Sequence, residues 1–266
     1  MTANFHTHST FCDGANTPEE IILEAIRKGF HAIGFSGHGY TAFDLRYCMK
    51  DTEGYIAEVT RLKEKYRNDI QVYLGVEEDA FSPVDHSRFD YIISSSHYLR
   101  SGDTYYPIDS TPEYFERCIE LFGGDVVRMA EEYYGFFSDY IRRVKPDIVG
   151  HFDLITKFDQ LGKSRLLSNS GYNATAERYI TWAAESGSIF EVNTGVVARG
   201  LRKRPYPNEN LLYALKRVGA RLILSSDSHD ISTLDFAFEE TRKYLKDIGF
   251  KSLMTMRDGH FVSEDI

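Results

Sequence analysis

Cysteine is scarce in this chain and forms no pattern: Cys12, Cys48 and Cys118 are odd in number, widely spaced and make no C-x-x-C pair. That excludes a disulfide framework and a cysteine zinc site, and leaves three reduced thiols. No apolar run approaches the roughly 20 residues that cross a bilayer. Nor does the N-terminus show a basic segment leading into an apolar stretch. The expectation is a cytoplasmic protein with no membrane partner. Positive charge is also in deficit, with 31 Lys and Arg against 40 Asp and Glu and a formal net charge of −9. Such a balance repels a polyanion at long range, so no nucleic-acid partner is expected, whereas a small phosphorylated substrate held locally remains compatible. Low-complexity tracts and internal repeats are absent. The 266 residues, 42% of them hydrophobic, suit a single domain with a substantial core.

What the chain does have is seven short apolar runs that each end in ligand-type residues. They are Phe5 to His8, Ile33 to His38, Tyr73 to Glu77, Tyr91 to His97, Ile148 to His151, Ile189 to Asn193 and Leu222 to His229. Parallel strands of an α/β barrel all deliver their last residues to one rim, so seven such endings in order predict a site at the C-terminal ends of the strands.

Helical patterns alternate with these runs. Thr17-Pro18-Glu19-Glu20 offers an N-cap, a first-turn proline and a capping-box glutamate ahead of Ile21, Ile22, Ala25 and Ile26, stopping near Gly29. Further patterns cover residues 54–66, 173–186, 208–218 and 233–246, which gives repeated β-α units. Two places break the rhythm. Residues 77–90, marked by Ser82-Pro83, are too short for a full helix and predict a loop. Residues 98–146 form a long connection, with a polar, aromatic opening and two helical patterns split at Gly123-Gly124, and predict a loop over the site mouth. The fold expected is a distorted (β/α)7 TIM-like barrel.

The chemistry starts with His6 and His8, two apart on a strand and so on one face, able to reach one ion from a rigid backbone. Asp227 and His229 repeat that spacing, and Asp13 follows the first pair. With Glu77, His97, His151 and His38 also at strand ends, these residues resemble the polymerase and histidinol phosphatase (PHP) superfamily of metal-dependent phosphoesterases. The matching motifs are His6-Thr7-His8-Ser9, His38, Gly75-Val76-Glu77, Ser96-His97-Tyr98, Gly150-His151-Phe152-Asp153 and Asp227-Ser228-His229. Tyr105 to Asp109, His151 to Phe158 and Glu191 to Gly195 make the later half similar to the stand-alone histidinol-phosphate phosphatases.

The resemblance implies two or three divalent transition metals. One ion takes His6, His8, Glu77 and Asp227; a second shares Glu77 as a bridge and adds His97 and His151; a third takes Asp13, His38 and His229. Mixed imidazole and carboxylate ligands suit zinc, iron or manganese. Glu78 is the rival for the bridge, but in an extended strand it points away from Glu77. Paired cations generate hydroxide near neutral pH for in-line attack on phosphorus, so Glu77 and Asp227 act through the metals they hold. A water on the third ion, His229 and Asp13 are the alternatives for supplying the leaving-group proton, and the sequence does not choose among them.

Arg199, nearest the sixth strand end, and Lys157 are candidates to grip phosphate, each against the alternative of a solvated cation. Asp153 is a candidate to orient a ligand or hold a substrate ammonium, against a loop cap. Arg202, Lys203 and Arg204 read as solvated. His31, read as ending a helix, and His86 and His260, read in polar turns, are expected to be solvated too. Trp182 reads as core, and Tyr133 to Phe137 as helix packing. The function expected is hydrolysis of a small phosphomonoester, L-histidinol phosphate being the preferred substrate, in histidine biosynthesis. The alternatives are a phosphoesterase acting on nucleotides or short oligonucleotides and, more weakly, a non-catalytic metal-binding regulatory module.

Overall fold

The computed structural model describes residues 2–161 and 166–266. Its strands are β1 (Thr2–Asn4), β2 (Phe30–Phe35), β3 (Gln71–Asp79), β4 (Tyr91–Ser95), β5 (Tyr98–Ser101), β6 (Thr104–Pro107), β7 (Ile148–Val149), β8 (Ile189–Asn193), β9 (Leu222–Ser225), β10 (Ser252–Arg257) and β11 (His260–Asp265). The helices are α1 (Pro18–Arg27), α2 (Thr52–Lys65), α3 (Pro112–Glu120), α4 (Val126–Val144), α5 (Ser170–Ala184), α6 (Gly195–Ala198), α7 (Glu209–Arg217) and α8 (Phe238–Ile248). Seven strands run parallel in the order β1-β2-β3-β4-β7-β8-β9. At the ligand end the ladder returns on itself: Thr7 bridges Ser228, His8 N donates to Ser228 O at 2.8 Å, and Ser228 N donates to His6 O at 3.2 Å. Below that seam β10 pairs with β9, and β11 folds back antiparallel on β10. The barrel fold expected from the strand endings is therefore present.

Local signals explain the helices. Thr17 caps α1 with a complete capping box, and Asp51, Thr111, Asp125, Asn169 and Asn208 each cap the next helix with a side-chain oxygen. The helix anticipated from residue 233 begins only at Phe238, because a short 3-10 turn at Ile231–Thr233, capped by Asp230, comes first. Between β3 and β4 the crossover is indeed a loop with one 3-10 turn at His86–Arg88. The long connection holds the β5–β6 hairpin followed by α3 and α4.

One apolar cluster draws at least one residue from each of the seven parallel strands or its continuation: Ala3, Phe5, Ala32, Tyr73, Tyr91, Ile93, Ile148, Ile189 and Ile223, closed by Met256 of β10. Tyr91 is its centrepiece. Its hydroxyl donates to Phe5 O at 2.6 Å, with Phe35 O 3.1 Å away as the second acceptor in reach, and its ring fills space over two glycines. A Cβ on Gly34 would come within 2.4 Å of the Tyr91 hydroxyl, and one on Gly75 within 2.3 Å of the ring. Separate apolar layers pack helices on the outside, with α1 and α2 against β2 and β3, and the remaining long helices against the other half.

Several residues sit differently from their sequence reading. His31 lies on β2, its Nε2 3.3 Å from Thr255 Oγ1, because the glycine that ends the preceding helix is Gly29, at φ +74°. Trp182 is half-buried at the surface, with the Arg142 guanidinium 4.8 Å over its ring. His86 pairs with buried Glu78 at 3.0 Å instead of facing only solvent. Arg202 is 5% exposed, donating to Thr156 Oγ1 at 2.7 Å and lying over the Tyr206 ring.

Candidate metal centre

The ligand-type residues sit just past the ordered ladders, not on their last rungs: β1, β4, β7 and β9 each stop two residues before His6, His97, His151 and Asp227. Past the regular ladders the backbone can turn its side chains inward, with only the bridge between Thr7 and Ser228 still joining the two seam strands at this level. Asp227 does so at φ 50°, a left-handed conformation that a non-glycine residue adopts at a cost and that clusters at functional sites. Glu77 is the exception, lying within β3 and held by a bridge to His38.

Around Glu77 the expected set converges. Its Oε2 lies 3.2 Å from His6 Nε2, 3.5 Å from His8 Nε2 and 2.9 Å from His38 Nδ1. Its Oε1 lies 2.9 Å from His151 Nε2 and 3.5 Å from His97 Nε2. Asp227 Oδ1 stands 3.1 Å from His8 Nε2 and 3.6 Å from His6 Nε2. Asp13, on the turn after β1, has Oδ2 3.4 Å from His229 Nε2 and Oδ1 3.8 Å from His38 Nε2. All nine residues named from the sequence thus meet at one rim. Glu78 points the other way, accepting from Ser94 Oγ, Tyr140 OH and Val84 N.

These separations suit shared cations. Donors bound about 2.1 Å from one tetrahedral ion stand about 3.4 Å apart. His6 Nε2, His8 Nε2 and Glu77 Oε2 are buried and have no hydrogen-bond partner among the described residues. Bare buried polar atoms cost roughly 1–3 kcal/mol each, and a cation among them removes that penalty. Among the described residues, four overlapping groups could hold an ion: His6 with His8 and Asp227, His6 with Glu77 and His151, His38 with Glu77 and His97, and His8 with Asp13, His38 and His229.

The electrostatics of the metal-free rim divide its imidazoles, His8 being held neutral while His6 and His97 are raised by the carboxylates beside them. Burial, with His229 and His38 alongside, lowers His8 to about 3 and keeps it neutral, as a metal-binding imidazole must be. Burial opposes charge on Glu77, but His6, His38, His97 and His151 around it hold its carboxyl well below the usual range. His97 is raised to about 9, burial being outweighed by Glu77 and Asp79.

Two supporting carboxylates escaped the sequence reading. Asp79 Oδ2 lies 3.1 Å from His97 Nδ1 and accepts from the same residue's backbone N at 2.9 Å. Glu191 Oε1 lies 2.5 Å from His6 Nδ1. A carboxylate can only accept, so the His6 proton belongs on Nδ1, and Nε2 offers its lone pair to the rim. Period-two alternation from Glu77 would have found Asp79, and the strand-end position of Glu191 was visible without a role attached.

A cavity of about 460 Å³ opens over the rim, walled among others by Tyr47, Tyr98, Asp109, Lys157, Arg199 and Tyr206. Arg199 faces it while donating to Asp227 Oδ2 at 3.2 Å. Lys157 faces it too, its Nζ held by the Asp109 carbonyl at 2.8 Å and the Asp109 carboxylate at 3.1 Å. Asp153 lies behind the wall, fully buried, where Oδ2 accepts from Asn208 N and Nδ2, both at 3.0 Å. Asp153 is therefore the loop cap, since its bonded oxygen is consumed in tying α7 to the strand 7 exit. The Glu191–Gly195 stretch also lies largely beneath the rim and not on the substrate side; Glu191, Asn193, Thr194 and Gly195 are all buried.

Fold and site together define an α/β barrel that carries a cluster of imidazoles and carboxylates at its strand ends. The PHP domain profile matches residues 4–195, and the chain belongs to that family. It is 29% identical to the probable histidinol-phosphatase of Schizosaccharomyces pombe, an alignment covering 97% of this chain and 90% of the relative. Identity to the histidinol-phosphatase of Bacillus subtilis is 26%, covering 88% and 96%. The crystal structure of histidinol phosphate phosphatase from Lactococcus lactis, complexed with zinc, L-histidinol and phosphate, superposes with a TM-score of 0.71 at 21% identity, covering 98% of each chain.

Proposed function

We propose that this protein is a metal-dependent phosphomonoesterase that hydrolyses L-histidinol phosphate to L-histidinol and phosphate. The observation that carries this reading is the single carboxylate, Glu77, ringed by five imidazoles, of which His6 and His8 turn nitrogens without a partner among the described residues toward it, beneath a cavity sized for a small molecule. The curated relatives named as histidinol-phosphatases, aligned over nearly the whole chain, support the substrate.

His6, His8, Glu77 and Asp227 would hold one ion, Glu77 with His97 and His151 a second, and Asp13, His38 and His229 a third. When bound, such ions supply Lewis acidity that activates water and polarises the phosphoryl group. The protein's own groups do the rest. Arg199 presents a fixed guanidinium on the cavity wall to phosphoryl oxygens, and Lys157 adds a second positive charge. His229 and Asp13, 3.4 Å apart, both line the cavity, and with the third ion unbound this pair would be placed to give the leaving oxygen its proton. Tyr47, Tyr98 and Asp109 line the wall that an imidazole and an ammonium would meet.

A panel of phosphomonoesters, assayed on protein of measured metal content, tests the reading. Histidinol phosphate should exceed nucleoside monophosphates and p-nitrophenyl phosphate in kcat/KM by roughly a hundredfold, the discrimination that unpaired buried polar groups impose. A nucleotide or oligonucleotide turning over faster would sink the substrate assignment while leaving the phosphoesterase class intact. No turnover of any ester by metal-loaded protein would sink both.

A further inference from the structure

Beneath the rim, Glu191 makes contacts that no ligand assignment uses. It is 1% exposed and sits on β8 between two other barrel strands. Oε1 is 2.5 Å from His6 Nδ1 and accepts from Ser225 Oγ at 2.5 Å. Oε2 accepts from His151 N at 2.8 Å and from Asn193 Nδ2 at 3.0 Å. Four donors fill the four acceptor positions of one carboxylate, and they come from the extension of β1, from β9, from the residues after β7 and from β8 itself.

No neutral group can replace it without moving a proton. An amide NH2 turned toward His151 N and Asn193 Nδ2 sets donor against donor, and one turned toward His6 Nδ1 and Ser225 Oγ is accepted only if the His6 proton moves to Nε2, the nitrogen that faces the rim. Asn193 cannot flip to relieve the first case, because its Oδ1 already accepts from Gly195 N at 2.8 Å, and the backbone N–H of His151 has no freedom at all.

We infer that Glu191 is the positioning residue common to two ions of the centre: it fixes the ring and tautomer of His6 for one and the backbone that carries His151 for the other. This role rests on the metallophosphatase reading above. Histidine ligands steered by a carboxylate on the far ring nitrogen lose roughly 10–100-fold in metal affinity when that partner is removed. Glu191 differs from such a partner in steering two ligands from two strands, so its loss is felt at both ions. A structural carboxylate that merely filled space would leave metal affinity and ligand field unchanged once the protein had folded.

The experiment compares wild-type protein with Glu191→Gln and Glu191→Asp. Each is stripped of metal and then titrated with Co²⁺ while visible absorption is recorded, with affinity measured against a competing chelator. Circular dichroism and melting of the metal-free proteins establish folding. Glu191→Gln should bind Co²⁺ roughly 10–100-fold more weakly at two equivalents, with altered d–d bands. Glu191→Asp keeps the charge but is one methylene short, so it reaches one strand's donors and should fall between. Should Glu191→Gln fail to fold, the aspartate variant alone decides. Folded variants with wild-type affinity and spectra would overturn the role of Glu191 and leave the metal centre standing. Wild-type protein that takes up no Co²⁺ would overturn both.

Discussion

Arg199 Nη1 donates to Asp227 Oδ2 at 3.2 Å, so the cation expected to meet phosphate already leans on a carboxylate expected to meet metal. Asp227 raises the Arg199 guanidinium still further above its ordinary value, and Arg199 helps hold Asp227 well below the carboxylate range. Arg199→Ala should therefore retain metal, since Asp227 Oδ1 keeps its histidine neighbours, yet lose about 2–4 kcal/mol of transition-state stabilisation. Steady-state kinetics with parallel metal analysis checks this. A variant emptied of metal would assign the loss to Asp227 instead.

Glu77 and Glu78 should separate cleanly. Glu77→Gln takes charge from the carboxylate that faces five imidazoles, and should lower metal content and cut turnover by orders of magnitude. Glu78→Gln should keep metal and instead reduce stability by roughly 1–3 kcal/mol, because Oε1 and Oε2 together accept from Ser94, Tyr140 and Val84 with His86 alongside. Elemental analysis and denaturant melts distinguish the two. Equal metal loss in both variants would show that the bridge is misassigned.

The metal-free protein should respond to pH in a defined sense. His97 is raised from 6.5 to about 9, so its contribution to stability is fully present below pH 6.5 and is lost as pH rises through about 9. Glu77 and Asp227, both depressed, contribute above the ordinary carboxylate range and lose that contribution as pH falls. Melting temperature without metal should therefore decline between pH 6.5 and 9. Added Zn²⁺ should remove the decline by replacing the proton, and a flat metal-free profile would contradict the His97 environment described here.

Tyr91 makes the inside of the barrel intolerant of small additions. Gly75→Ala places a methyl group 2.3 Å from the Tyr91 ring, and relief requires moving a fully buried side chain with two backbone carbonyls in reach of its hydroxyl. A loss of at least 1–3 kcal/mol is expected in urea unfolding, whereas Gly75→Ala combined with Tyr91→Phe should recover only part of it, since the ring remains. An unchanged midpoint for the single variant would show that the barrel interior repacks.

How much of this was legible depended on whether a residue's meaning is local. His6 and His8 could be read because period two places both on one face, and Thr17 because its cap is completed by Glu20 three residues on. The order of strand endings then carried the nine rim residues, since parallel strands share one direction. Glu191 and Arg202 were opaque for the opposite reason. Glu191 gains its role only from His6 and His151, and Arg202 from Thr156 and Asp153, partners far off in sequence that no local pattern announces. Asp153 failed differently: its spacing from His151 is that of a ligand, but the turn that follows β7 rotates it under Asn208.

The barrel seam has a consequence for the chain's two ends. Thr7 meets Ser228 there, flanked by His6 and His8 on one side and by Asp227 and His229 on the other, while β1 itself is only three residues long. An ion gripped by His6, His8 and Asp227 is thus a reversible cross-link between the first and last barrel strands, closing a loop that spans nearly the whole fold. Its strength is set by free metal concentration and not by covalent chemistry. Scarcity of metal would loosen the N-terminal strand first, so the protein would become easier to unzip and digest under the same conditions that idle its chemistry.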